Sequence, residues 1–316
     1  MRFRSHFKRK PTWLNHPSSI QLDTHNFCNL KCEYCNVQGN FNLPKGKMPL
    51  ETIEYVLKYF GERKTKLWCV APFMNGEPLL DNRLPQIMSF AEEYCKTSCV
   101  VDTNGTIYEN RQFLLHPNLK LVRFTISALT PETYEKVHGK PFLDKALQTL
   151  EWFLKHKRAN QKVALHFIAT KNNIHELDLW INRFKGIRRT VFRVHSGILQ
   201  NTASQVALRE FHSFLEDASP YEPFAINEKN KVISMQPWRN RKFAPCQCWD
   251  VISIGWNGEI MQCMDFPYRY NYGKVGEIDL LEAWHRRIQN RMNNPCCESC
   301  SVRFLNWKEI MDKWVH

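Results

Sequence analysis

Apolar positions along this chain recur in two alternating rhythms. Short apolar runs at residues 20–24, 66–74, 98–103, 120–127, 162–170 and 190–196 have the length and β-branched content of buried strands. Between them the spacing becomes helical. Residues 48–63 carry Ile53, Val56, Leu57 and Phe60 on one face, and residues 84–95 carry Leu84, Ile87, Met88 and Ala91. A short helix is expected at 109–115. Leu143, Ala146, Leu147, Leu150 and Leu154 mark a longer one, and further helices are expected at 174–184 and 203–216.

Six strand–helix units with apolar strands predict a parallel sheet covered by helices, joined by right-handed connections. The expected fold class is α/β: a partial (β/α)6 TIM-like barrel followed by a small cysteine-rich auxiliary-cluster domain. Its boundaries are a basic extension at 1–19, a core at 20–217, a linker at 218–240 and the auxiliary domain at 241–316. In such barrels chemistry gathers at the C-terminal strand ends. The polar motifs fall there: the cysteine loop after strand one, Asn75-Gly76-Glu77-Pro78 after strand two, and Asn104-Gly105 after strand three.

The most specific motif is Phe27-Cys28-Asn29-Leu30-Lys31-Cys32-Glu33-Tyr34-Cys35, spaced C-x3-C-x2-C. Three thiolates can hold three irons of a [4Fe–4S] cluster and leave the fourth iron open to another ligand. The other reading is a zinc site, although zinc usually takes four closed ligands in C-x2-4-C pairs.

This loop resembles the cluster loop of the radical S-adenosylmethionine (SAM) family. The resemblance implies that Cys28, Cys32 and Cys35 hold the cluster and that the amino and carboxylate groups of SAM chelate its open iron. It places Tyr34 beside the adenine and Asn75, Gly76, Glu77 and Pro78 in the segment that receives the SAM amino group. Asn75 departs from the family's glycine at that position. Thr103 and Asn104 match the segment near the SAM ribose. Ser127 matches the start of a Ser-x-Asp segment whose acid is replaced here by Leu129. Asn172 or Asn173 is expected near the SAM carboxylate. Arg193 and His195 are placed towards the barrel mouth, and no catalytic acid or base is assigned. Cys69, Cys95 and Cys99 lie on apolar faces and read as small buried hydrophobes.

A second cysteine set lies near the C-terminus: Cys246, Cys248, Cys263, Cys296, Cys297 and Cys300. Asn257-Gly258 is a hairpin-turn signal, and the segment from Gly276 to Trp284 reads as a turn entering a helix. This region resembles the auxiliary-cluster domain of SPASM and twitch radical SAM enzymes. A full SPASM domain continues with more cysteines, whereas the residues after Cys300 contain none. The resemblance therefore implies the twitch form, with one auxiliary [4Fe–4S] cluster on Cys263, Cys297, Cys300 and either Cys246 or Cys248. A zinc ribbon is the alternative.

The formal net charge is +13, with basic runs at 7–10, 63–66, 185–189 and 238–242. Such a surface suits a phosphorylated metabolite, an acidic peptide or nucleic acid, or is simply solvated. No stretch approaches a membrane span, and no apolar segment follows the basic N-terminus as in a secretory signal. Cysteines at metal-ligand spacings point to a reducing cytoplasm.

The expectation is a radical SAM oxidoreductase or maturase. It would cleave SAM to a 5′-deoxyadenosyl radical and abstract hydrogen from an acidic peptide or small molecule. A reductase, flavodoxin or ferredoxin would supply electrons. The alternatives are a nucleotide- or RNA-modifying enzyme of the same family and a metal-stabilised nucleic-acid-binding protein. The chain ends Trp314-Val315-His316 rather than in the glycine–glycine tail of the molybdopterin enzyme, which acts on a nucleotide, and the sequence disfavours that function.

Overall fold

The computed structural model describes residues 15–35, 44–170, 172–184, 187, 190–196, 232–234, 250–263 and 270–291. They form one ten-stranded sheet in the order β10-β9-β8-β1-β2-β3-β4-β5-β6-β7. The strands are β1 (Ser19–Leu22), β2 (Cys69–Ala71), β3 (Cys99–Thr103), β4 (Leu119–Thr125), β5 (Lys162–Ala169), β6 (Thr190–Ser196), β7 (Val232–Ser234), β8 (Val251–Ile254), β9 (Glu259–Met261) and β10 (Asn271–Lys274). Strands β1 to β7 pair in parallel, and β8 joins β1 in parallel on the other side. Among the described strands only β8–β9 and β9–β10 are antiparallel. This is the α/β, partial-barrel class that the alternation of elements predicts.

The helices are α1 (Leu50–Glu62), α2 (Leu84–Cys95), α3 (Pro131–His138), α4 (Leu143–His156), α5 (Leu177–Phe184) and α6 (Leu280–Arg291). Each buries one apolar stripe. On α1 it is Ile53, Val56, Leu57 and Phe60; on α4 it is Leu143, Ala146, Leu150 and Phe153. Removing such a side chain from water contributes roughly 1.5–3 kcal/mol. The strands answer with period two. Cys99, Val101 and Thr103 of β3 are buried while Val100 and Asp102 are not. On that second face Arg123 of β4 stands opposite Asp102 in register and donates Nε–H to its carboxylate.

Three elements differ from the sequence expectation. The apolar run 66–74 yields a strand of only three residues, because Pro72 follows Ala71 and has no N–H for the ladder. Helix α3 was not expected. It has only eight residues and three buried side chains, too few to show a period. The expected linker 218–240 contains β7, a seventh parallel strand beside β6. The expected helix at 203–216 lies outside the described residues, as do the boundaries at 217 and 240.

The C-terminal elements are built onto the same core. The β8–β9 turn uses Gly258 at φ +85°, where a left-handed backbone favours glycine. Asp279 caps α6 by accepting from the N–H groups of Leu281 and Glu282, and it also accepts the hydroxyl of Tyr59 on α1 at 2.5 Å. Trp284 and Arg287 of α6 are fully buried, with Arg287 Nε–H donating to the carbonyl of Gln262 at 2.8 Å. Among the described residues no helix is long and apolar enough to cross a membrane.

Candidate active site

The site is assembled at the C-terminal ends of β1 to β5. After β1 the chain buries Asp23, Thr24, His25 and Asn26 before it reaches the cysteine loop. Buried polar groups need partners, and Asp23 has them. Its two carboxylate oxygens accept from the N–H and side-chain amide of Asn75, both at 2.9 Å. Asn75, which departs from the family glycine, therefore locks the end of β2 to the end of β1.

Gly76 follows at a close crossing. A Cβ there would stand 2.5 Å from the carbonyl oxygen of His25 and 2.8 Å from that of Phe27, so only glycine fits without movement. The crossing lets the N–H of Glu77 donate to the Phe27 carbonyl at 2.8 Å. Pro78 then opens a single 3-10 turn, a position where its missing N–H costs nothing.

Glu77 is the charge centre. It is buried beneath β3, accepting from Thr103 Oγ1 at 2.7 Å, from Leu79 N–H at 3.0 Å and from Asn104 N–H at 2.8 Å. Burial pushes its carboxyl up to about 7, against the opposing pull of those donors. The side chain of Asn104 turns the other way. Its amide donates to Asn29 Oδ1 at 3.0 Å and approaches Cys28 Sγ at 3.9 Å, while its oxygen accepts from Thr106. Asn29 Nδ2 closes the ring onto Thr106 Oγ1 at 2.7 Å.

The cysteine loop rests on α3. Lys31 N–H donates to the carbonyl of His138 at 3.1 Å, and Glu33 N–H to that of Val137 at 2.9 Å. Burial pushes the Cys28 thiol up to about 12 and the Cys32 thiol higher still. A bound metal favours the thiolate form of both. Among the described residues no three His, Cys, Asp or Glu side chains are gathered to hold a single metal ion. Three thiols on one loop can each take a different iron of a cluster, whereas zinc usually takes four closed ligands. The hydroxyl of Tyr134, close enough to interact with Cys32, Glu77 and Cys28, is buried without a hydrogen-bond partner.

These observations agree with a direct family match. The description "Radical SAM superfamily" fits residues 22–182, half of the chain. The chain belongs to the radical SAM superfamily. Its family implies a [4Fe–4S] cluster and SAM, and the Cys28, Cys32 and Cys35 thiols, gathered on one loop close enough to interact with one another, fit that cluster. A chain from Sulfurisphaera tokodaii named "Probable GTP 3',8-cyclase" is 24% identical over 282 residues, 81% of each chain. One of that name from Methanococcus maripaludis strain C6 is 33% identical over 231 residues, 71% of each. Among solved structures, Streptococcus suis SuiB bound to S-adenosylmethionine matches with TM-score 0.66 at 16% identity, over 92% of this chain and 72% of that one. The enzyme anSMEcpe with bound AdoMet matches with TM-score 0.66 at 15% identity, over 89% and 87%. These two likenesses are of fold.

The remaining expected residues of this radical SAM enzyme take distinct places. Tyr34 sets its hydroxyl 3.4 Å from Nδ1 of His138. Ser127 is fully buried, its Oγ accepting from Ile168 N–H at 3.1 Å. Asn173 is also buried, donating to the carbonyls of Ser127 and Ile168 and accepting from Thr170 N–H. It staples β4 to β5. Asn172 instead reaches the cysteine loop, donating to Glu33 Oε2 at 2.6 Å beside Thr170, which donates to Oε1. Arg193 and His195 pair in backbone register with His166 and Ile168. Cys263 is buried just after β9. Cys246, Cys248, Cys296, Cys297 and Cys300 lie outside the described residues.

Sequence reasoning missed Asp23, Asn29, Glu33, Thr106 and His138. Asn29 and Glu33 sit within the motif itself, so their positions were a usable signal. The others act through partners far along the chain, which no local pattern marks.

Proposed function

We propose that this enzyme cleaves SAM at a cluster held by Cys28, Cys32 and Cys35 and abstracts hydrogen from an anionic substrate, with one auxiliary [4Fe–4S] cluster on Cys263, Cys297, Cys300 and Cys246 or Cys248. The observation that carries the reading is the buried Glu77, linked by Asn104 to Cys28 and Asn29 of the cysteine loop. When bound, the cluster and SAM supply the electron and the 5′-deoxyadenosyl radical. The chain's part is to position them. Glu77 offers a desolvated carboxylate for the SAM amino group, which suits a cation in a low-dielectric site. Asn172 and Glu33 set the edge of the loop where the SAM carboxylate would lie. Tyr34 would flank the adenine.

The substrate class follows from charge and from the relatives. A net charge of +13 favours an anion, and the curated relatives carry the name of a GTP cyclase. A nucleoside triphosphate is therefore the first reading, which raises the nucleotide alternative above its place in the sequence analysis. An acidic peptide, the reading placed first on sequence grounds, is the second. SuiB has been solved with its precursor peptide SuiA on the same fold. Anaerobic incubation of the reconstituted enzyme with SAM, dithionite and each candidate tests this. A nucleoside triphosphate should raise 5′-deoxyadenosine formation above the substrate-free rate. Stimulation by an acidic peptide alone would assign the second reading.

A further inference from the structure

His138 is the last residue of α3 and is fully buried. Its Nε2 accepts the backbone N–H of Ser127 at 3.2 Å. A nitrogen that accepts must offer a lone pair, so the ring proton sits on Nδ1. That Nδ1 lies 3.3 Å from Cys32 Sγ. The ring proton therefore faces Cys32 Sγ, with the Tyr34 hydroxyl alongside at 3.4 Å from the same nitrogen, and its tautomer is set by the main chain just after β4.

The surroundings hold this geometry. Tyr134 stacks on the imidazole with centroids 4.2 Å apart and 23° between planes. Tyr34 meets its edge at 5.8 Å and 83°. Gly139, at φ +74°, brings the helix end against the cysteine loop, and a Cβ there would stand 2.7 Å from the Lys31 carbonyl. Histidine and cysteine are thus fixed from both sides by backbone contacts. The three thiols are not equivalent. Cys28 has a backbone hydrogen bond from Leu30 and the 3.9 Å approach of the Asn104 amide. Among the described residues Cys32 alone has an imidazole donor.

We propose that His138 is a positioning residue for the SAM-binding cluster, donating Nδ1–H to the Cys32 thiolate and so raising the cluster's reduction potential. This rests on the reading that Cys32 is a cluster ligand. Reduction adds negative charge to the cluster, and a hydrogen bond to a ligating sulfur stabilises the more negative state. Without the donor, reduction of the cluster becomes harder.

The test uses the full, anaerobically reconstituted protein without substrate. His138→Phe keeps an aromatic ring under Tyr134 and removes both nitrogens. His138→Asn places an amide nitrogen near the position of Nδ1. In an EPR-monitored potentiometric titration, His138→Phe should give a more negative midpoint than wild type at equal iron content, and His138→Asn should recover towards wild type. An unchanged midpoint in a His138→Phe protein with full iron content overturns the proposal. If that variant does not fold, the wild type labelled with ¹⁵N-histidine still decides. Pulsed EPR of the reduced cluster should show a weak ¹⁵N coupling, and its absence overturns the proposal. Replacing Cys28, Cys32 and Cys35 with alanine separates the two claims. Persistence of the SAM-sensitive EPR signal would sink the ligand assignment, whereas its loss together with an unshifted His138→Phe midpoint would sink the histidine role alone.

Discussion

The carboxylate of Glu77 accepts the hydroxyl of Thr103 at 2.7 Å, across from β2 to β3. That bond, with the N–H of Asn104 on the second oxygen, holds an acid in a buried position where its charge is costly. The carboxyl sits at about 7 in the folded protein against 4.5 for the free group. The folded state therefore binds this proton more tightly than the unfolded chain does. Its contribution to stability is full below about pH 4.5 and is lost as pH rises towards 7.

Glu77→Gln should remove this slope. In the cofactor-free protein, urea unfolding at several pH values between 5 and 7.5 should show wild type losing stability relative to the variant. Equal pH dependence in both would contradict the placement of Glu77. SAM binding should reverse the effect, since its amino group favours the charged carboxylate. Calorimetry near pH 6 in two buffers of different ionisation enthalpy should detect protons released on binding.

The two neighbouring asparagines should behave oppositely. Asn173→Ala leaves the carbonyls of Ser127 and Ile168 without their side-chain donor and the N–H of Thr170 without its acceptor. Each buried group left unsatisfied costs about 1–3 kcal/mol, so the urea midpoint should fall sharply. Asn172→Ala, at a half-buried site, should change stability by less than about 1 kcal/mol. It should weaken SAM binding instead, because Glu33 loses a partner in the cysteine loop. Equal destabilisation by both would show that neither has a special place.

Much of this was legible locally. The strand runs, the helical stripes of α1, α2 and α4, the cysteine spacing and the Asn257-Gly258 turn each announce themselves within a dozen residues. What was hidden is what needs two distant segments at once. Asn29 meets Thr106, and Asp23 meets Asn75, through hydrogen bonds spanning 77 and 52 residues. His138 was hidden because α3 is short and polar. Its buried residues, Tyr134, Val137 and His138, look like an ordinary surface turn until the cysteine loop is laid against them.

Gly76→Ala probes the crossing beneath the site. The added methyl would overlap two backbone carbonyls, which cannot move as a side-chain tip can. Overpacking of this kind costs roughly 1–3 kcal/mol. Gly276→Ala is the control: it is strained by its φ of +87° but meets nothing within 4 Å. The larger loss of stability is expected at Gly76, with SAM binding weakened there and unchanged at Gly276. A larger loss at Gly276 would contradict the close crossing.

The auxiliary cluster is tested by counting. Full reconstitution should approach about eight irons and eight sulfides per chain, from two four-iron clusters. Cys263→Ala should bring the count towards about four. A wild-type value near about twelve would mean a second auxiliary cluster and a SPASM rather than a twitch domain.

The central claim is that Cys28, Cys32 and Cys35 hold the cluster that cleaves SAM. The most direct measurement is 5′-deoxyadenosine formed from SAM under dithionite, comparing the reconstituted wild type with the protein in which all three are alanine. Wild type should form it, and the triple variant should form none while retaining the iron of its auxiliary cluster. Undiminished 5′-deoxyadenosine from the triple variant would contradict the account.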